Sequence, residues 1–422
     1  MTVKLGKSLY FGALVVLTVL GLAALGYRLA VGMRVTALTS YVSWGLWVAF
    51  YIYFIGLSAG SFLLSTMIYV FNMRSLEKVG RMALLSAFFA LGAGLLFVWM
   101  DLGHPYRFWE IYSTPHFTSV MTIESWLYIL YMVLIAFELW FLMREDLAAA
   151  VRDRGARAAV SRFLTFGYRP AADPQQHQSQ QQRAGAWVKA LGIIGIPTAI
   201  GVHGGTGAIF AVAIARPYWN GGLFPIVFLV SALASGAALV TFLHAAFGRR
   251  DPDFHQVLRS AGTLMVLLIA LDLLLLASEV LTSLYGGIPA DANVFQSMFG
   301  GQYAWVFWLG QLGFGAAVPF LLVGLPATGR SPFWLGAAGL STVLGIFAVR
   351  LNIVIPGFVV PLLGGLPTAY VDPRLTYQYF PSLWEYASSV GVLALVVLVF
   401  SLFWGWLPLF STERPALTPA GH

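Results

Sequence analysis

Ten uninterrupted apolar runs constrain the fold of this chain more than any other feature of its sequence. Each run is long enough to cross a bilayer, which takes about 20 apolar residues, and Gly-rich or Pro-rich segments separate most of them. Hydrophobic residues make up 59% of the 422 residues and charged residues only 10%, too few to cover the surface of a soluble protein. The runs lie at 8–31, 44–71, 79–101, 121–143, 187–212, 223–247, 258–285, 303–326, 332–355 and 386–409.

The pattern predicts an all-α integral membrane protein with ten transmembrane helices. Continuous runs indicate helices, because the strands of a membrane barrel alternate apolar and polar residues. No small-x-small cleavage pattern follows the first run, so we expect a retained helix rather than a signal peptide. Of the 24 Lys and Arg residues, 18 fall on the face with both termini, five on the other face and Arg350 within a span. This bias predicts a multi-pass inner-membrane protein with both termini in the cytoplasm.

Similar segments in the second and sixth runs suggest an internal repeat. LSAGSFLLS (57–65) and LASGAALVT (233–241) both place small residues where helices can approach closely. We therefore expect two parallel four-helix bundles plus two additional helices. The expected units are the first helix and outer loop at 1–43, one bundle at 44–143 and 187–212, a cytoplasmic linker at 144–186, a second bundle at 223–355, and an outer loop, last helix and cytoplasmic tail at 356–422.

The expected linker has two interpretations. Its first half is basic and would form an amphipathic helix on anionic lipid, or it is simply a solvated connector. Its second half contains PAADPQQHQSQQQ (170–182), which is typical of a polar low-complexity linker.

Ionisable residues inside the runs are costly, because a charge at membrane depth costs at least about 2.5–3.5 kcal/mol. Depth, counted at about 1.5 Å per residue, places seven polar or ionisable groups from five helices in one layer toward the outer face. These residues are Asp101, His104, Arg107, Glu124, His203, Glu279 and Arg350. Three others lie outside this layer: Asp272 near the midplane, and Glu138 and His244 toward the cytoplasmic end.

Each of these residues also has a purely structural interpretation. The 101–107 segment would cap a helix end and pair with lipid head groups. His203 would be a packed histidine bonded to a neighbouring carbonyl, and Glu279 with Arg350 would form a buried ion pair, which is often neutral for stability. A structural role is the simpler interpretation of Glu124, Glu138 and His244.

Several segments resemble one known family of membrane proteins. DLGHPYRFW (101–109) resembles the turn after the third helix of the polysulphide-reductase membrane-subunit family, the NrfD/PsrC-like proteins, and WGLWVAFYIYFIGLSAGSFLL (44–64) is similar to its second-helix signature. The resemblance covers roughly residues 40–360. Further segments resemble the longer, ten-span branch of the family (HybB/DsrP-like): IPTAIGVHGGTGAIFAVAIARPYWN (196–220), SALASGAALV (231–240) and VRLNIVIPG (349–357).

This resemblance implies a quinone-reactive membrane subunit of a respiratory oxidoreductase complex that is not active alone. Such subunits exchange electrons between the quinone pool (menaquinone or ubiquinone) and an iron–sulfur subunit docked on the outer face, with further catalytic or cytochrome subunits and sometimes proton translocation. The sequence has no cysteine, which excludes a Cys-ligated cluster within it. No two spanning histidines share a depth, so we expect no haem. No nucleic-acid partner is expected.

Quinone chemistry assigns expected roles within the resemblance. A site needs an apolar slot, a hydrogen-bond donor and a group that exchanges protons near neutral pH. The expected catalytic residues are His203, Asp101 and Glu279. The expected quinone-binding residues are His104, Arg107, Arg350, Tyr106 and Trp109, although both aromatic residues also fit an ordinary interfacial belt. The expected proton path comprises Asp272, Glu138, His244 and Glu124.

Two other functions remain open. Ten spans, a repeat and buried acids also fit a secondary ion or solute transporter, although transporter repeats are often inverted and their sites lie at the midplane. A purely structural membrane anchor is the third interpretation. Solute uptake by the lone protein, co-purification with a cluster-bearing subunit, and quinone titration distinguish the three.

Overall fold

Ten helices that are long and apolar enough to cross a membrane form the body of the protein, which confirms the predicted number of spans. The computed structural model describes residues 2–70, 77–248, 253–370 and 372–407. Those ranges contain helices and no β-strand. The spans are Gly6–Val31, Leu46–Thr66, Gly80–Asp101, Val120–Ala150, Pro174–Ala211, Phe224–Phe247, Phe254–Tyr285, Val306–Gly324, Pro332–Val359 and Leu383–Trp406.

The two faces of the bundle are named here by chain direction. Consecutive spans run in opposite directions, and the inner face is the one on which the first span begins; the opposite face is the outer face. The sequence predicts that the inner face lies in the cytoplasm. Some of the Lys and Arg residues on which this prediction rests lie outside the described residues. They belong to the loop positions 71–76 and 249–252 and to the tail 408–422.

The connection between the fourth and fifth spans is largely helical, which differs from the expected linker. The fourth span continues to Ala150, and the fifth begins at Pro174, so the Gln-rich segment is helix. Asp173 caps this helix by accepting a hydrogen bond from the amide of Gln176 at 3.3 Å, and a proline at the first helical position has no N–H to satisfy. Glutamine is a good helix former. A short helix, Ala156–Leu164, lies between the two spans.

The second span lies at the centre of the bundle. Its apolar stretch is completely buried, whereas only 11% of the corresponding stretch of the seventh span is buried. The second span packs against the third, fifth, sixth and ninth, and the first and tenth spans pack against each other. The seventh span therefore faces lipid or a partner, and polar side chains that point at the second span lie in the interior.

The second and sixth spans cross at glycines that occupy equivalent positions in the predicted repeat. Gly60 lies in LSAGSFLLS where Gly236 lies in LASGAALVT. A Cβ atom on Gly60 would lie 1.8 Å from the carbonyl oxygen of Ala232, and one on Gly236 would lie 2.1 Å from the carbonyl carbon of Gly60. Only glycine allows this backbone-to-backbone approach. The symmetric contact supports the repeat, while the division into two four-helix bundles stays a prediction.

The eighth span is irregular. It winds as a π-helix over Val306–Ala317 and continues as an α-helix over Val318–Gly324. π-Helical turns are rare and occur frequently at functional sites. Gln311 lies in this segment and contacts Asn352 of the ninth span, so the irregular turns face the polar interior described below.

Candidate functional site

The centre of the candidate site is formed by His203 of the fifth span and Arg350 of the ninth, which meet at Gly56 of the second. A Cβ atom on Gly56 would lie 3.2 Å from Nη2 of Arg350 and 3.3 Å from Cε1 of His203. Both side chains are fully buried. His203 lies eight residues before the helix end at Ala211, and Arg350 lies nine before the span end at Val359. At about 1.5 Å per residue, both lie about 12–14 Å below the outer ends. This pair is called the buried centre below.

The guanidinium group of Arg350 has no hydrogen-bond or ion-pair partner among the described residues. Its Cζ lies 5.0 Å from the ring centre of Phe228, in a cation–π contact. Asp272 of the seventh span interacts with it electrostatically but not at ion-pair distance. The structural alternative, an ion pair with Glu279, is therefore not formed. A buried charge without a partner is strongly unfavourable, so this environment favours the arrival of negative charge.

His203 also lacks a regular hydrogen-bond partner. Neither imidazole nitrogen reaches hydrogen-bond geometry with any residue in the described ranges, although the backbone of Phe228 contributes a weaker interaction. The two ring centres lie 5.5 Å apart. The interpretation of His203 as a packed histidine bonded to a carbonyl is supported only by this weaker backbone contact with Phe228. Because imidazole can exchange a proton at either nitrogen, His203 is suited to proton transfer.

Two acids of the seventh span extend the buried centre toward the outer face. Asp272 interacts electrostatically with Arg350, and Glu279 interacts with Asp272. The two acids are seven residues apart and so lie on one face of their helix. Both are partly buried. Glu279 also interacts with Tyr218, whose hydroxyl donates a hydrogen bond to the carbonyl oxygen of Asn352 at 3.3 Å.

Asn352 and Gln311 are polar neighbours that the sequence analysis missed. Nδ2 of Asn352 donates a hydrogen bond to Oε1 of Gln311 at 2.7 Å, and both residues are buried. Oδ1 of Asn352 has no partner within the described part of the chain. The sequence contains one indication that Asn352 belongs to the site: it lies in AVRLN (348–352), two residues after Arg350.

Glu124 forms a second polar centre that is closer to the outer face. Its carboxylate accepts hydrogen bonds from the hydroxyls of Tyr128 at 2.5 Å, Tyr51 at 3.3 Å and Thr206. Glu124 itself is buried. Thr206 lies one turn from His203 on the fifth span, so the two centres adjoin along that helix. The single layer expected from the sequence is thus resolved into two levels.

Four residues of the fourth span form a buried line of polar groups, called the polar stripe below. Their spacing of four, three and seven residues keeps them on one helix face. The hydroxyl of Tyr131 donates a hydrogen bond to the carbonyl oxygen of Ser58 on the second span at 3.1 Å. At the inner end, neither carboxyl oxygen of Glu138 has a partner among the described residues. The members are Glu124, Tyr128, Tyr131 and Glu138.

The turn at 101–109, called the outer turn below, lies on the surface of the outer face. Arg107 forms an exposed ion pair with Glu110 through two hydrogen bonds of 2.7 and 2.8 Å. The hydrogen bonds from Arg107 lower the pKa of the Glu110 carboxyl, and the same bonds raise the pKa of Arg107. The structure therefore separates this turn from the buried centre. The exposed side chains predicted to bind quinone are His104, Tyr106, Arg107 and Trp109.

Asp101 lies at the base of the outer turn and interacts electrostatically with Arg28 of the first span. Arg28 is only 1% exposed, and its Nη2 donates a hydrogen bond to the carbonyl oxygen of Leu102 at 2.5 Å. The sequence predicts that Arg28 lies on the outer face, but it does not indicate that its side chain is buried. The contact ties the outer turn to the end of the first span.

His244 lies apart from the other predicted residues. It is buried near the inner end of the sixth span, three residues before Phe247. Its ring centre lies 5.2 Å from that of Phe254, at the start of the seventh span. Asp272 lies 18 residues beyond Phe254 on the same helix, so His244 and Asp272 lie at different depths. The expected proton path through these residues stays a prediction.

The side chains of the two centres are suited to proton exchange and to holding negative charge. Arg350 supplies a positive charge without a partner, His203 supplies two proton-exchanging nitrogens, and Glu124 supplies a carboxylate surrounded by hydroxyl groups. Within the ranges that the structure describes, no three His, Asp or Glu residues lie close enough together to hold a metal ion.

The protein is similar in sequence to subunits of several reductases, one of which is named as an integral membrane subunit. It is 47% identical over 411 residues to the C subunit of selenate reductase from Mesobacillus selenatarsenatis, covering 97% of this sequence and 96% of that protein. It is 24% identical over 407 residues to the integral membrane subunit of menaquinone reductase from Nitratidesulfovibrio vulgaris, covering 93% and 89% of the two proteins. It is 26% identical over 336 residues to the C polypeptide of polysulfide reductase from Wolinella succinogenes, covering 75% and 94%.

A protein-family model described as polysulphide reductase, NrfD, matches residues 34–361. The match begins in the first outer loop and extends through the ninth span, so it contains the buried centre, the polar stripe and the outer turn. It confirms the resemblance noted in the sequence. This chain therefore belongs to the family described as polysulphide reductase, NrfD.

Proposed function

We propose that this chain is the quinone-reactive membrane subunit of a multi-subunit respiratory oxidoreductase in the inner membrane. It would anchor an iron–sulfur subunit on the outer face, exchange electrons between that subunit and the quinone pool, and be inactive alone. The observation that carries the proposal is the fully buried approach of both His203 and Arg350 to Gly56, two groups without regular partners in the described residues. The name of the relative from Nitratidesulfovibrio vulgaris makes menaquinone the first quinone to test.

The polar groups of the chain fit a quinone. A quinone presents two carbonyl oxygens on an apolar ring and takes up two electrons and two protons on reduction. Exposed aromatic side chains on the outer turn can hold the apolar ring. The unpartnered groups of His203 and Arg350 lie deeper in the membrane, where they can exchange protons with the outer turn through Glu124. We infer that the outer turn holds the ring beside the docked subunit through His104, Tyr106, Arg107 and Trp109, with Asp101 at its base.

The buried residues would manage protons and charge. His203 exchanges a proton at one imidazole nitrogen, and Arg350 stabilises negative charge that develops nearby. Glu124 accepts a hydrogen bond from Thr206, which lies one helix turn from His203, and would pass protons toward the outer turn. Glu279 and Asp272 would form a second carboxylate route to Arg350.

His203→Asn and Arg350→Gln in the assembled complex test this proposal. Asparagine keeps a hydrogen-bonding group but cannot exchange a proton, so quinone-linked turnover should fall at least about 100-fold. Turnover of the partner subunits with a soluble electron donor should be unchanged. His177→Asn is the matched control, because His177 lies near the inner face, where it bonds Gln181 at 2.9 Å and lies 3.9 Å from Glu145, away from the buried centre. Wild-type quinone-linked turnover in an assembled His203→Asn complex would contradict the proposal.

The same preparations separate the competing functions. Solute uptake by the lone protein in vesicles would support a transporter. Failure of quinone to bind the intact complex, with the partner subunits still attached, would support a structural anchor.

We further propose that the polar stripe conducts protons toward the inner face. Hydroxyl and carboxyl groups occur along it from Glu124 to Glu138. Burying a carboxyl group without a partner is costly unless the group holds a proton or pairs transiently. Glu138→Gln should leave quinone-linked turnover intact and abolish the membrane potential that turnover generates. Glu145→Gln is the control, since Glu145 lies two turns further along and bonds Tyr168 at the inner face. Loss of potential in Asp272→Asn but not in Glu138→Gln would reject the stripe in favour of the seventh span.

The complex to which this chain belongs is inferred to reduce an oxyanion. Identity of 47% over nearly the full length of both proteins to a selenate reductase subunit makes selenate the first substrate to test. Selenate-dependent quinol oxidation by membranes that hold the protein, and its absence when the gene is deleted, is the expected result.

A further inference from the structure

A groove opens at the inner face between the start of the seventh span and the loop before the ninth. Its cavity volume is about 790 Å³, within the range of sites that enclose small organic molecules. One wall is the first four turns of the seventh span, and the other contains Gly329, Arg330 and Leu335. None of these residues belongs to the buried centre, the polar stripe or the outer turn.

The wall formed by the seventh span changes from charged to apolar along one helix face. Residues spaced four apart lie in a column, and the column covers about 6 Å per step. The basic, hydroxyl and apolar groups therefore succeed one another with increasing depth in the membrane, as the phosphate, glycerol ester and acyl chains of a phospholipid do. The column consists of His255, Arg259, Thr263 and Leu267.

Two arginines of the groove are available to bind an anion. Arg259 and Arg330 are both exposed, they lie on opposite walls, and neither forms an ion pair within the described ranges. Asp253, the described acidic residue nearest the start of the span, does not line the groove. Each basic residue at an inner membrane surface strengthens the binding of anionic lipid about fivefold.

The deeper end of the groove opens to lipid. Leu267 is 63% exposed, and the seventh span is the least buried of the ten. Acyl chains can therefore lie along this helix without displacing protein. A soluble phosphate compound has no acyl chains and would leave Leu267 exposed.

We propose that this groove binds one anionic phospholipid, with its phosphate between Arg259 and Arg330 and its acyl chains along Leu267. The bound lipid joins the inner ends of the seventh and ninth spans. Those spans carry Asp272 and Arg350, so the lipid also fixes the two helices that deliver charge to the buried centre.

Lipid competition on the full-length protein tests the proposal. The protein is purified in mild detergent, delipidated, and incubated with equal amounts of phosphatidylglycerol and phosphatidylcholine, and retained lipid is counted by native mass spectrometry. Wild type should retain one phosphatidylglycerol with a preference of about 25-fold. The double variant Arg259→Gln/Arg330→Gln should lose this preference. The control Arg152→Gln/Arg154→Gln removes equal charge from the exposed inner loop and should keep it.

A variant that fills the groove gives a second test without a change of charge. Thr263→Trp should abolish retention of the phospholipid, with thermal unfolding as the check that each variant is folded. The wild-type competition needs no variant. Equal retention of both lipids by wild type, undiminished retention in the folded double variant, or displacement of the lipid by equimolar inorganic phosphate would each overturn the proposal.

Discussion

One methyl group added at Gly56 tests the buried centre with the smallest change that this position permits. The new Cβ atom of Gly56→Ala would lie 3.2 Å from Nη2 of Arg350 and 3.3 Å from Cε1 of His203. Carbon contacts are optimal at about 3.5–4.0 Å, so both side chains have to retreat by a few tenths of an ångström. The obstructing atoms belong to side chains rather than backbone. We therefore expect the helices to fold and the site to shift.

Two opposing effects set the stability of the Gly56→Ala variant. Overpacking a core position costs about 1–3 kcal/mol, and replacing glycine by alanine within a helix restores about 0.5–1 kcal/mol. The free energy of unfolding should therefore fall by no more than about 2.5 kcal/mol. Turnover should respond more strongly, because small displacements within an active site cost up to about 100-fold. We expect a loss of at least about tenfold in quinone-linked turnover.

The assay is quinone-linked turnover of the assembled complex, measured together with thermal unfolding of the same preparation. Gly92→Ala is the control, because Gly92 lies on an exposed part of the third span and an added Cβ would meet no atom within 4 Å. That variant should keep wild-type turnover. The reasoning is refuted if Gly56→Ala retains wild-type turnover, or if its loss only follows the amount of folded protein.

Two further predictions concern the packing that supports the site. Gly60→Ala would bring a Cβ atom to 1.8 Å from the carbonyl oxygen of Ala232. Because backbone atoms cannot rotate away as a side chain can, gel filtration should show a loss of folded protein. A normal elution profile would argue against this crossing of the second and sixth spans. Arg28→Gln should remove the hydrogen bond to Leu102 and lower stability by about 1–3 kcal/mol, with faster amide hydrogen exchange in the outer turn. Unchanged exchange there would show that Arg28 does not hold the turn.

The ten spans were predictable because a continuous apolar run of sufficient length has few alternatives in a membrane protein. The start of the fifth span was not. Its first two turns are glutamine-rich and polar, so hydropathy cannot distinguish them from a solvated linker. Helix propensity and the Asp173–Pro174 start signal were present in the sequence, and they would have placed the boundary correctly.

The sequence predicted how deep the candidate site residues lie in the membrane, but not which residues they contact. Counting residues placed His203 and Arg350 at one level, because helix rise is regular. It could not reveal that both meet at Gly56, since the order in which spans pack around the second helix is a tertiary property. For the same reason the outer turn, expected to join the buried residues, lies on the surface instead.

The hydroxyl groups of the polar stripe show a different limit of sequence reasoning. Tyr128 and Tyr131 have the correct spacing from Glu124, but aromatic residues are common along membrane helices and carry little information alone. Their burial against Tyr51 and Ser58 makes them chemically distinctive. Only the packed structure supplies that burial.

Arg350 distinguishes a structural account of the buried centre from a functional one. Other buried cations of this protein have a hydrogen-bonding partner: Arg81 pairs with Asp146 at 2.5 Å, and Arg28 bonds the carbonyl oxygen of Leu102. Arg350 has no such partner among the described residues, and all three of its guanidinium nitrogens lack a hydrogen bond. Apolar residues in place of buried charges often leave stability equal or higher, so folding does not explain an unpaired cation beside His203. Because Asp272 interacts with Arg350 without reaching ion-pair distance, we propose that a group which arrives and leaves during turnover supplies the remaining negative charge.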